Sequence, residues 1–139
     1  MKRLLYLMIV AASVASPGGA RAAESIVGTW ATATLSHIFR VAPCGHFLCV
    51  YLAHAPNAHR MTDQHNPDPA KRRRKLAGIT LVSNGAANGK ARWEGNVYNW
   101  EDGKTYFGYV EPVDSRTMKA SGCLIGHTMC LSTNLYRLD

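Results

Sequence analysis

The groups in this 139-residue chain whose types and spacing could do chemistry fall into three sets. The first is the cysteines: Cys44 and Cys49, then Cys123 and Cys130. Each pair flanks a short polar or glycine-containing turn, and residues facing each other across a hairpin have Cα separations that suit an S–S bond. Of the possible pairings, Cys44 with Cys49 and Cys123 with Cys130 is therefore favoured, and a zinc site built from all four is the competitor. The second set is His54, His59 and His65 with Asp63 and Asp68. Imidazole and carboxylate are metal ligands, yet these spacings match no zinc signature and read as solvated loop residues, so no metal is expected. The third is a block of cations, residues 71–75, which could grip nucleic acid, lipid headgroups or lipopolysaccharide phosphate but by default reads as a solvated basic turn. Nucleic-acid grooves interleave aromatics with cations or spread charge over a broad face. Neither pattern is visible here, so no nucleic acid is expected.

Nucleophile elbows, metalloprotease helices and phosphate-cradling glycine loops are missing from the sequence. Oxidised cysteines are poor nucleophiles. An enzyme therefore ranks last among the functional classes, and no cofactor is expected. The aromatic set Trp93, Tyr98, Tyr106, Phe107 and Tyr109 lies on two adjacent strand-like runs. The two-residue period sends Tyr106 and Tyr109 to opposite faces. Most of these rings should be packing, with a phenol tip or two left to meet a ligand.

The elements that must position these groups are almost all strands. Short β-rich runs at residues 28–34, 37–42, 47–54, 76–82, 91–98, 105–111, 117–122 and 128–138 are separated by Gly, Asn, Asp and Pro punctuation. Asn84-Gly85 and Asn88-Gly89 read as bracketing one loop, Glu101-Asp102-Gly103 as a hairpin turn. About eight strands joined by tight turns make an all-β, up-and-down meander, which closes most economically into a single small barrel. One long irregular stretch, residues 55–75, interrupts it. Within it Asn66-Pro67-Asp68-Pro69 predicts a single helical turn capped by Asp68 and carrying the basic block.

The amino terminus has the make-up of a signal peptide. Lys2 and Arg3 precede an apolar run at residues 4–14, and Pro17, Gly18 and Gly19 precede Ala20-Arg21-Ala22. Cleavage before Ala23 is expected, leaving one domain at residues 23–139, exported to the periplasm or beyond with no membrane anchor. A bilayer anchor needs roughly 20 apolar residues, and this run is too short. Removing Lys2, Arg3 and Arg21 leaves 13 Lys+Arg against 9 Asp+Glu, so the net charge falls from +7 to +4. Export to an oxidising compartment also favours disulfides.

One set of motifs runs through the whole expected domain: Gly28-x-Trp30; Cys44-Gly45 with Cys49; Asp63-x-x-Asn66-Pro67-Asp68-Pro69-Ala70-x-Arg72-x-Arg74; Leu76-x-Gly78; Trp93-Glu94-Gly95-x-x-Tyr98-Asn99-x-Glu101-Asp102-Gly103-Lys104-Thr105-Tyr106; Gly122-Cys123; and Arg137. It resembles the domain-of-unknown-function family 2147, exported bacterial proteins similar to lipocalins and other calycin barrels. Trp100 stands where that family usually has proline, Lys71 and Lys75 where it has leucine and proline, and Leu135 where it has tryptophan. The resemblance implies a lipocalin-like barrel in which Arg137 stacks on Trp30 beside Gly28 and seals one end. The other end would then admit a ligand. The expected function is binding of a small apolar or anionic ligand, with loop 63–74 at the mouth and Asp63, Asn66, Asp68, Arg72, Arg74, Tyr98 and Tyr106 as candidate contacts. The alternative is a packed barrel whose basic loop binds a macromolecule.

Overall fold

Strand-forming runs broken at short intervals leave this chain little choice but hairpins. The computed structural model describes residues 26–89 and 91–139, so the expected signal peptide at residues 1–22 lies outside the described residues. The strands are β1 (Gly28–Ala31), β2 (Ile38–Cys44), β3 (Phe47–His54), β4 (Thr80–Ala87), β5 (Trp93–Asn99), β6 (Lys104–Pro112), β7 (Thr117–Ile125) and β8 (Thr128–Arg137). Each is antiparallel to its neighbour, and β8 returns to β1 to close an up-and-down barrel.

Antiparallel order puts the turns at two ends. The β2–β3, β4–β5 and β6–β7 turns share one end with the start of β1 and the end of β8. There Ile26, Trp30, Val41, Leu48, Met118 and Leu135 form a buried cluster. We call this the closed end. The β1–β2 loop, the long β3–β4 loop and the β5–β6 and β7–β8 turns share the other, the loop end. A second cluster sits there, with Leu52, Ala55, Ala58, Leu76, Ile79 and Leu81 packed beside Phe39 and Trp100.

Two expectations are corrected. The run at residues 76–82 looks like a strand, but Leu76 and Ile79 belong to the loop-end cluster and β4 starts only at Thr80. Gly78 is the cause: at φ +86° it turns the chain so that its N–H donates to Leu52 O at 2.6 Å. Asn84-Gly85 is not a turn but lies inside β4. Its glycine lets the strand approach β3, where a Cβ would stand 2.8 Å from Leu48 O. The helical turn expected at residues 70–74 is a shorter 3₁₀ turn, Pro69–Lys71, with Asp68 capping Ala70 N at 3.0 Å, so only Lys71 of the basic block lies on it.

Candidate functional site

The interior is set by register, because residues directly paired across strands share a face. Trp93, Val110 and Ala120 form one inward row across β5, β6 and β7. The next row toward the loop end is Gly95, Gly108, Gly122 and then Leu131 on β8. At Gly95 and Gly108 neighbours occupy the space a side chain would take, Val82 at 2.9 Å and Val97 at 2.4 Å from the positions of a Cβ. At Gly122 nothing lies within 4 Å. The unfilled space is a cavity of about 400 Å³, lined mainly by apolar groups including Phe39, Val50, Val97, Val110, Met118 and Leu131.

This cavity has a mouth because β1 is short. β8 pairs with β1 only at Arg137 and Tyr136, so among the described residues no strand covers its 128–135 stretch on that side. Leu131 points inward yet is 71% exposed, and Thr32 of the β1–β2 loop lies across the slot. A second, shallower hollow of about 380 Å³ lies beside the β2–β3 turn, between Val27, Pro43, Phe47 and Trp93.

Six of the seven candidate contacts gather elsewhere, around the fully buried carboxylate of Asp63. Asp63 Oδ1 accepts from the Tyr98 hydroxyl at 2.5 Å. Its Oδ2 accepts from Asn66 Nδ2 at 2.8 Å and from Arg74 through Nε at 2.9 Å and Nη2 at 2.8 Å. Burial would raise the pKa of this carboxyl. The hydrogen bonds from Tyr98, Asn66 and Arg74, with the Arg74 charge, outweigh burial and hold it below its ordinary value. Burial and the same contact push Tyr98 up to about 12. Backbone bonds complete the clasp: Asp63 N donates to Arg74 O at 3.0 Å, and Arg72 Nε donates to Asn66 O at 2.8 Å. Asn66 Oδ1 accepts from Asp68 N at 2.9 Å.

Asp63, Asn66, Asp68, Arg72, Arg74 and Tyr98 are thus brought together, but they bind one another and do not line the cavity. An anionic ligand at Arg74 would have to displace Asp63. Tyr106 stands apart, donating to Asp102 in the β5–β6 turn. Its inward position is fixed by pairing with Val97, while Tyr109 faces out under the Arg92 guanidinium, 3.9 Å from the ring centroid.

At the closed end Arg137 lies over Trp30, 4.3 Å from the ring centroid, and its Nη1 donates to Val27 O at 2.8 Å. Gly28 makes room for it, since a Cβ there would be 2.4 Å from Arg137 Nη1. Cys44 pairs with Cys49 and Cys123 with Cys130 at disulfide distance. His46 and His127 sit in turns at opposite ends of the barrel. Among the described residues no cluster of three or more His, Cys, Asp or Glu is arranged to hold a metal.

A family model described as an uncharacterized protein conserved in bacteria, DUF2147, matches residues 28–137, the whole barrel from Gly28 to Arg137. The chain belongs to the DUF2147 family. Among solved structures this DUF2147 barrel is similar to a protein of the human pathogen Helicobacter pylori described as belonging to the lipocalin family. The two are 21% identical with a TM-score of 0.70, and the match covers 82% of this chain and 83% of the other. At that identity the likeness is one of fold. Among curated proteins none matches the chain.

The cavity lining is what the motifs did not announce. Its signal in the sequence is a set of glycines, Gly95, Gly108 and Gly122, each offset by two residues from an inward Trp93, Val110 or Ala120.

Proposed function

We propose that this DUF2147 protein is an exported carrier, working in the cell envelope, that holds one small apolar ligand inside its barrel. The observation that carries the reading is the cavity itself, about 400 Å³ and open through the slot beside β8. That size falls within the roughly 300–1,000 Å³ of small-molecule sites. The described lining has no cation to meet an anion: its one charged residue is Glu94, which takes a 2.6 Å bond from Asn88 and lies 3.8 Å from Arg92. An apolar body therefore sits in the barrel, and any polar end of the ligand stays at the slot. A packed barrel acting only through its basic loop would have no use for Gly122, whose missing side chain leaves the space open.

The test is Gly122→Leu, read with a fluorescent fatty-acid probe. Backbone φ at Gly122 is not in the left-handed region and nothing crowds its Cβ position, so the fold should accept the change. The added side chain should lower probe affinity at least about tenfold, the loss of one well-buried apolar contact set. No probe binding by the wild type, or equal binding by the variant, overturns the proposal.

A further inference from the structure

The loop end carries a surface that neither the barrel nor the clasp uses. Four large apolar side chains project there: Leu35 from the β1–β2 loop and Leu124, Ile125 and Met129 from the β7–β8 hairpin, each more than half exposed. Residues 121–131, the hairpin tip and its flanks, contain no Lys, Arg, Asp or Glu. On the same end, loop 55–79 and the β5–β6 turn with Lys104 carry seven cations, Arg60, residues 71–75 and Lys104. Against them stand Asp63, Asp68, Glu101 and Asp102, a net of +3. Arg72 and Arg74 are engaged in the clasp, whereas Lys71, Arg73 and Lys75 are exposed. Lys71 touches Asp68 only at 4.0 Å, and Lys75 Nζ reaches Arg60 O at 3.4 Å.

We propose that the loop end docks on an anionic lipid surface, the β7–β8 tip and Leu35 entering the acyl boundary while Lys71, Arg73 and Lys75 face the headgroups. An apolar tip adds burial, and nearby cations add attraction to a negative leaflet. Proteins that lie on membranes combine these two terms. Among the described residues of the opposite end, Phe47, Val113 and Leu138 are exposed from three separate segments, and the β6–β7 turn carries Asp114 with Arg116. The slot beside β8 opens among the apolar residues, so docking would place it against the leaflet. That last step, ligand passing directly between membrane and cavity, rests on the carrier reading; docking itself does not.

The experiment is vesicle sedimentation of the ligand-free mature protein. Vesicles of phosphatidylcholine alone are compared with phosphatidylcholine mixed with phosphatidylglycerol. Binding is expected to the anionic vesicles and to weaken at high salt, where charge is screened. Each cation removed should lower partitioning about fivefold, so Lys71→Glu/Arg73→Glu/Lys75→Glu should lower it by a hundredfold or more, that is about 100 or above. Ile125→Asp should abolish binding while circular dichroism stays unchanged. No preference for anionic vesicles overturns the proposal, as does unaltered binding by either variant. A stable dimer that Ile125→Asp dissociates also overturns it, because the patch then serves a second copy. The fatty-acid probe is measured on the same wild-type sample. Probe binding without vesicle binding refutes docking alone, and vesicle binding without probe binding refutes the carrier alone.

Discussion

Asp63 is the place where one atom change tests the most reasoning. Its carboxylate takes four hydrogen bonds from three residues while fully buried. Asp63→Ala would leave the Asn66 amide and the Tyr98 hydroxyl without their partner inside the protein. Breaking a buried ion pair from one side costs about 3–5 kcal/mol. The lower end applies because the Arg74 side chain is 37% exposed and can turn to water. About 3 kcal/mol is expected, a fall in Tm of roughly 12 °C for a domain of this size. Asp63→Asn, which keeps shape and loses charge, should cost about 2 kcal/mol. The pH dependence has a fixed sign. The folded carboxyl titrates below its unfolded value of about 3.9, so its stabilisation is complete above about pH 5 and disappears as pH falls through the folded value. Urea denaturation from neutral to acid pH, wild type against Asp63→Asn, is the assay. The two curves should converge as pH drops. A variant within about 0.5 kcal/mol of wild type at neutral pH, or a gap that persists undiminished in acid, would refute the clasp as an electrostatic element.

Arg137→Lys should destabilise by about 1–2 kcal/mol, since an ammonium cannot stack on Trp30 while also reaching Val27 O and Ser115 O; chemical denaturation followed by tryptophan fluorescence checks it. Reducing both disulfides should cost about 2–3 kcal/mol for each short loop, and intact mass before and after reduction should differ by four hydrogens. Gly108→Ala should lose about 1–3 kcal/mol by thermal melting, because its Cβ would stand 2.4 Å from Val97 Cγ2 and 3.1 Å from Ser121 O.

The strands were legible because periodicity and turn residues both act locally. Phe47–His54 is the predicted run to the residue, and the 3₁₀ turn follows from Asp68 and Pro69 alone. Leu76 and Ile79 are not legible as cap residues because an apolar pair before a strand looks the same whether it pairs in the sheet or caps the end. Only the contact with Leu52 and Ala55 separates the two, and that contact is non-local. Asn84-Gly85 differs from its expected turn for a related reason. The dipeptide has turn chemistry, but the close passage of β3 asked for a glycine in mid-strand. The slot beside β8 depends on where β1 stops pairing, and the predicted run at residues 28–34 overshoots Ala31, so the opening could not be read beforehand.

The division between the clasp and the cavity has a physical logic. A site read from sequence is found by unusual residue types, and Asp63, Asn66, Arg74 and Tyr98 are unusual because a long loop must be tied down without a strand on either side. Charge-assisted bonds do that at a few points. The loop so held packs Leu76 and Ile79 over the barrel, with Trp100 joining them and lying 6.3 Å from His37. This accounts for Trp100 where the family usually has proline: a ring there extends the cap. The cap covers the β2–β5 side of the loop end and leaves the β6–β8 side to β8 and its missing partner. The polar residues therefore decide where the barrel is shut. Gly122, Leu131 and the short β1, none of which carries a reactive group, decide where it is open.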